Sequence, residues 1–159
     1  MSGKDENLAF EPLEIAREER SPYPSPYDLE VRGRYRRALG NKKGLTKFGV
    51  NLTELDPGSV SSLRHWHTME DEFIYIVEGS PTLITNQGEQ LLRPGMCACF
   101  PANSGNGHRL ENRSDFQVRY FEIGNRSSSE EVYYPDSDMI LKKHKDGKRS
   151  FCHFDGTPY

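Results

Sequence analysis

The chain is short of the features that mark most protein classes. Its three cysteines, Cys97, Cys99 and Cys152, are an odd number with no C-x-x-C pair. A disulfide framework or a zinc ribbon is therefore not expected, and the three are read as reduced packing thiols. No stretch approaches the roughly 20 apolar residues of a membrane span, and the first twenty residues lack the apolar run of a secretory signal. The expectation is a cytoplasmic protein with no membrane partner, in which the sequons at Asn51, Asn112 and Asn125 are chance matches. Positive charge is also lacking: 21 Lys and Arg against 24 Asp and Glu leave a net charge of −3. No global field holds a polyanion, and no helix-turn-helix pattern is present, so nucleic acid is not an expected partner. Nor is there an internal repeat. At 159 residues, 34% of them hydrophobic, the chain is long enough for one domain with one sizeable core, part of it polar covering.

What is present divides into three parts. Residues 1–44 form an arm, charged at first and then proline-rich (Ser21-Pro-Tyr-Pro-Ser-Pro-Tyr27). Successive X-Pro restrictions favour extended chain, and Tyr23 and Tyr27 suggest that it lies on another surface. A helical turn or two is expected within 28–40, stopped at Gly40. Residues 45–125 change to short runs of Val, Ile, Phe, Tyr and Thr. They are broken by turn signals at Asp56-Pro-Gly58, Glu78-Gly79, Asn86-Gln-Gly88, Arg93-Pro-Gly95 and Pro101 to Gly107. That texture predicts an all-β sandwich or barrel with strands near 46–55, 61–67, 72–78, 80–86, 88–93, 96–100, 107–112 and 116–123. Residues 126–159 form a polar extension in which a strand or two packs on the barrel or on a partner, and the basic run Lys142 to Lys145 reads as a solvated face.

Chemistry concentrates around Arg64-His-Trp-His67. On a strand, His65 and His67 project to one face with α-carbons roughly 6–7 Å apart, while Trp66 points away. Glu72 opens the next strand and can bring a hard oxygen to the same ion. A third imidazole arrives at His108 after Ser104-Gly-Asn-Gly107.

These residues resemble the two motifs of the cupin family. Gly58, His65, His67, Glu72 and Gly79 are similar to G-x5-H-x-H-x3or4-E-x6-G, with one extra residue before His65. Gly95, Pro101, Gly105, His108 and Asn112 are similar to G-x5-P-x-G-x2-H-x3-N, with two extra residues before Gly105. More closely, Tyr23-Pro-Ser-Pro-Tyr27, Gly33-Arg34, Arg64-His-Trp-His67 and Glu70-Asp-Glu-Phe73 resemble a group of short bacterial cupins whose members carry the label of sugar-phosphate isomerase. The resemblance implies a double-stranded β-helix, or jelly-roll barrel, with one divalent transition metal (Mn, Fe, Ni, Co or Zn) on His65, His67, Glu72 and His108. Glu70 and Asp71 are rival carboxylates, but only Glu72 keeps the six-residue gap to Gly79; the other two, with His144 and His153, are expected to face solvent.

Four protein ligands on a six-coordinate ion leave two positions for a bidentate substrate. A metal-dependent isomerase or epimerase of a sugar or hydroxy-ketone is one reading; an iron-dependent dioxygenase is an alternative. A non-catalytic binding module is another, because no general acid or base stands out beyond the ligands. Arg64, Arg93, Arg109 and Arg119 are the nearest cationic handles in sequence. Trp66, Phe73, Tyr75 and Val77 alternate away from the ligands as a broad apolar stripe, which predicts a symmetric homodimer, with the Pro/Tyr arm reaching across it. The competing expectation is that residues 126–159 lie over that stripe.

Overall fold

Period-two alternation builds the central strands. In the segment Glu72–Glu78, Ile74 and Ile76 are buried while Tyr75 and Val77 are exposed, the signature of a strand with one face on a core. The computed structural model describes residues 8–159, and the first seven residues of the arm lie outside the described residues. Within them the strands are β1 (Arg34–Arg37), β2 (Phe48–Leu55), β3 (Trp66–His67), β4 (Glu72–Glu78), β5 (Thr82–Thr85), β6 (Gly88–Leu91), β7 (Cys97–Phe100), β8 (Arg109–Glu111), β9 (Val118–Asn125), β10 (Glu130–Tyr134), β11 (Met139–Lys143) and β12 (Arg149–Cys152). A single helical turn, α1 (Leu39–Lys42), follows β1.

The strands form an all-β jelly roll of three sheets, ordered β1-β2-β9-β4-β7, β12-β11-β10-β3 and β6-β5-β8. One apolar cluster, with Leu55, Ile76, Leu92, Val118 and Tyr120 nearly inaccessible, fills the space under the largest sheet. A second joins Tyr23 and Val31 of the arm to Val132, Tyr134, Met139 and Leu141 of the C-terminal extension. Each fully buried large apolar side chain contributes about 1.5–3 kcal/mol, so the second cluster ties residues 23–31 of the arm to the C-terminal extension. Among the described residues no helix is long and apolar enough to cross a membrane.

Four local expectations need correction. Residues 34–37 are a strand, not helix, because Arg34 and Arg36 alternate inward beside β2. Gly40 lies inside α1 and does not stop it. The C-terminal extension contributes three strands, since Val132, Tyr134, Met139 and Leu141 supply a buried face. Tyr23 is buried with its ring centroid 5.4 Å from that of Tyr134 and 6.3 Å from that of Phe151. Arm residue Tyr23 therefore packs on the chain's own extension. In addition, Cys97 and Cys99 are exposed on β7 and only Cys152 is buried.

Two glycines show why the sheet closes where it does. Gly79 ends β4 at φ +78°, and a β-carbon there would come within 2.8 Å of the Gln117 carbonyl and of Val118 Cγ2, so only glycine fits both the conformation and the space. Gly124 pairs with Glu72 across the sheet, and a β-carbon there would come within 2.9 Å of the Asp71 carbonyl.

Candidate functional site

His65 and His108 are brought side by side by their backbones. His65 N–H donates to the His108 carbonyl at 3.1 Å and His108 N–H to the His65 carbonyl at 2.9 Å, a one-residue antiparallel bridge that puts both imidazoles on one face. Their ring centroids are 4.7 Å apart. The same ladder continues through Ser61–Leu110 and Ser59–Asn112, which replaces most of the continuous strand expected over 61–67. Asn112 locks its end: its Nδ2 donates to the carbonyls of Leu55 and Phe116, and its Oδ1 accepts from Ser114. His67 stands on β3, two residues on, and Glu72 opens β4 facing the same interior.

The four side chains converge. Glu72 Oε2 lies 3.5 Å from His65 Nε2, 3.3 Å from His67 Nε2 and 2.9 Å from His108 Nε2. His65, His67 and Glu72 offer ligand atoms all within 4.8 Å of one another. An orphaned atom tests whether an ion fits this set. Glu72 Oε2 is buried without a hydrogen bond. His65 Nδ1 is 2.9 Å from the Leu63 carbonyl, which can only accept, so Nδ1 carries the proton and a neutral His65 presents a bare lone pair at Nε2. A lone pair and a carboxylate oxygen facing each other repel unless a cation lies between them. The donor set, three nitrogens and one oxygen, is the kind that takes a divalent transition ion.

The carboxylates and imidazoles of the cluster also shift one another's ionisation. Burial would push the Glu72 carboxyl up, but His108, His65 and His67 outweigh it and hold the group well below its ordinary value. Burial likewise opposes a charge on His67, yet Glu130 and Glu72 raise it to about 10. His108 goes the other way: burial lowers it, only partly offset by Glu72, and its ring stacks on Phe100 at 3.5 Å.

Glu130 was not legible in the motif. It lies at the start of β10, the strand that pairs with β3, and its Oε1 is 3.7 Å from His67 Nδ1. Donors from Thr68 N, Thr68 Oγ1 and Met69 N hold that oxygen at 2.8, 3.1 and 3.1 Å. At 3.7 Å the carboxylate is outside hydrogen-bond range, and His67 Nδ1 is buried without a hydrogen bond, so Glu130 acts on the ring through its charge, which increases the ring's basicity. The available signal was the alternation of Glu130 with Val132 and Tyr134, which places a charge on a buried face.

Around this pole opens a cavity of about 510 Å³, within the range of small-molecule sites. Its floor is the inner face of the largest sheet, where Arg36, Thr53, Tyr120 and Ile76 form one cross-strand row and Asn51, Glu122 and Ile74 the next. None of the four arginines expected as handles lines it. Arg64 pairs with Asp136 at 2.7 Å, Arg109 with Glu111, and Arg119 with Glu54 at 3.2 Å and Glu78 at 2.8 Å. Arg64 and Arg109 each sit next to a ligand in sequence and so point to the opposite side. Arg34, Arg36, Arg126, Lys143 and Arg149 line the cavity instead. Glu70 is also turned inward and not to solvent, accepting from Ser127 N at 2.8 Å and Lys143 Nζ at 3.3 Å. Asp71 does face out and caps Ala102 N at 2.8 Å. His144 and His153 bond to Ser150 and Asp138, away from the cavity.

Comparison with known proteins agrees with this architecture. The family model described as Cupin domain matches residues 51–124. A solved structure of a sugar phosphate isomerase of a cupin superfamily from Silicibacter pomeroyi is 40% identical, with 95% of this chain and 96% of that one covered at a TM-score of 0.91. A protein from Acidithiobacillus ferrooxidans, provisionally named a sugar phosphate isomerase, is 25% identical over 79% of this chain and 80% of its own, at a TM-score of 0.73. The tetracenomycin polyketide synthase protein TcmJ of Streptomyces glaucescens is 31% identical over 98 residues, 61% of this chain. The match spans 64% of the length of that curated relative.

Proposed function

The chain belongs to the cupin superfamily, and from that premise we propose that it is a metal-dependent enzyme that isomerises a small polar sugar or hydroxy-ketone. One observation carries the reading: four convergent donor atoms open onto a polar cavity that also holds a carboxylate outside the donor set. His65, His67, Glu72 and His108 would hold the ion, which when bound supplies Lewis acidity toward a substrate oxygen. The charge of Glu130, 3.7 Å behind His67, favours a basic ring there.

Proton movement falls to Glu122. It shares the inner face with Glu72, one row along on the neighbouring strand β9, and lines the cavity. Arg36 at 2.9 Å and Asn51 Nδ2 at 3.3 Å keep its carboxylate oriented. A carboxylate so placed can take a proton from the carbon beside a carbonyl and return it to the neighbouring carbon, which is what interconversion of a hydroxy-ketone and a hydroxy-aldehyde requires. The names of the two sugar phosphate isomerase relatives support the same substrate class.

The test is exchange of substrate carbon-bound protons with D2O under nitrogen, over a panel of sugar phosphates and hydroxy-ketones. The metal-loaded protein exchanges at least one of them, and Glu122→Gln lowers the rate by roughly 10²–10⁴ while keeping its metal. Strict oxygen consumption would replace the isomerase by a dioxygenase. Ligand-induced melting shifts without exchange or turnover would replace it by a binding module.

A homodimer belongs to the same proposal. Phe48, Tyr75 and Val77 are 40–42% exposed on the outer face of the largest sheet, and Phe73, Phe121 and Ile123 share that face by register. Trp66 is already covered, its ring stacked at 4.6 Å on that of Tyr133 from the chain's own extension. Light scattering at micromolar concentration returns about twice the 18.2 kDa chain mass if a second copy covers the rest.

A further inference from the structure

We infer that Arg34, Arg36 and Tyr120 form an oxyanion subsite in this cavity, which takes the phosphate or carboxylate end of the substrate. The inference deepens the proposed function and rests on its placing of the substrate at this cavity. Arg34 is 5% exposed, and its guanidinium is held only by two carbonyls, Ser61 O and Arg20 O, both at 2.8 Å. Among the described residues no carboxylate pairs with it. Its neighbours in the sheet differ: Arg36 has Glu122 at 2.9 Å, Arg37 has Glu54 at 3.3 Å, and Arg119 has Glu54 and Glu78. A buried cation left without a counter-charge is unfavourable and calls for an anion.

The same wall carries two orphaned donors. Arg36 Nε and Tyr120 Oη are buried without hydrogen bonds. Tyr120 is 2% exposed and faces the cavity in the cross-strand row of Arg36 and Thr53. Burial, with the charge of Glu122, pushes its phenol up, so the hydroxyl stays a donor at neutral pH. Glu122 is engaged by Arg36, Asn51 and Thr53, and Lys143 by Glu70. On this wall that leaves Arg34 and two unused donors with no acceptor, the complement of a tetrahedral or planar oxyanion. Arg126 and Arg149 line the same cavity with no carboxylate paired to them among the described residues. The distance to the imidazoles is short in the chain's own terms. Arg34 bonds Ser61, and the next residue, Ser62, sets its hydroxyl 3.2 Å from His65 Nδ1. A substrate anchored by its anionic end would thus present its carbonyl end toward Glu72 and the histidines.

The experiment is calorimetric titration of the full chain with inorganic phosphate, and separately with acetate. It is run after chelation, so that no ion competes for the anion, and again on the metal-loaded protein. One site per chain is expected in both forms, with phosphate or acetate preferred according to which end group the subsite takes. Arg34→Gln should weaken it at least tenfold. Tyr120→Phe should weaken it about three- to tenfold, the worth of one hydrogen bond. Tyr120→Phe removes a single oxygen and keeps the ring, so it keeps the test decisive if Arg34→Gln does not fold. No binding of either anion by the chelated chain, or equal binding by wild type and Tyr120→Phe, would overturn the subsite. A chain that binds phosphate through Arg34 but takes up no metal would instead overturn the proposed function and leave the subsite standing.

Discussion

Between Gly58 and Asn112 the imidazole pole is shaped by one continuous stretch of chain, and its turns, ladder and ligands are neighbours in sequence. The wall across which a substrate would lie is assembled from both ends. Arg34 and Arg36 come from the arm strand, Tyr120 and Glu122 from β9, and Glu130 and Tyr134 from the C-terminal sheet, which meets the arm at Tyr23. Local turns therefore set the pole, whereas the wall depends on tertiary packing between segments that do not know each other's position until the roll has closed. Apart from His67, whose strand β3 pairs with β10 of the extension, the pole should tolerate changes in the extension that the wall does not.

Breaking the wall should have the largest effect. Tyr23→Ala removes an aromatic ring from the cluster that joins arm and extension and should cost about 3–5 kcal/mol of stability, read as a lower midpoint in urea. Gly79→Ala attacks the pole side. A left-handed backbone position, and the contact at 2.8 Å with backbone and side chain at 117–118, should cost about 2–3 kcal/mol, with folded variant retaining its metal-ligand set. Glu130→Gln sharpens the comparison, because it alters one wall residue that touches the pole. Metal affinity should fall about 10- to 100-fold with a melting curve of the metal-free chain little changed.

The smallest effect is expected at Asp136, whose pair with Arg64 at 2.7 Å joins the two regions at the surface. Arg64 holds the Asp136 carboxyl below its ordinary 3.8. A depressed carboxylate contributes stability above its unfolded value and loses it as pH falls through the folded one. Exposure to solvent limits the contribution to about 0.2–1 kcal/mol. Wild type and Asp136→Asn should differ by that much at pH 7 and converge in chemical denaturation as pH falls through the depressed Asp136 carboxyl, below 3.8.

The uneven encoding also explains what could be read beforehand. The all-β class and most strands followed from alternation and turn residues, and the cupin spacing pointed to His65, His67, Glu72 and His108, which the fold brings together around Glu72 Oε2. The inward arginines were open to the same logic. Arg34-Tyr-Arg36 alternates, as do Tyr120 and Glu122 after Val118, but charged residues on a buried face read as surface when their strand is not yet known to lie over a cavity. Glu130 and the three strands of the extension were obscured by the polar residues around them. The strands are buried against Tyr23 and Val31, about a hundred positions away, and Glu130 against Thr68 and Met69, about sixty away, and no local pattern carries that information.

The most direct test is metal stoichiometry by elemental analysis of the full chain purified without added metal, beside His65→Ala, His67→Ala, Glu72→Ala and His108→Ala. One divalent transition ion per chain in the wild type, lost in the folded variants, is the predicted result. A metal-free wild type that takes up no ion on addition, or four variants with unchanged occupancy, would contradict it.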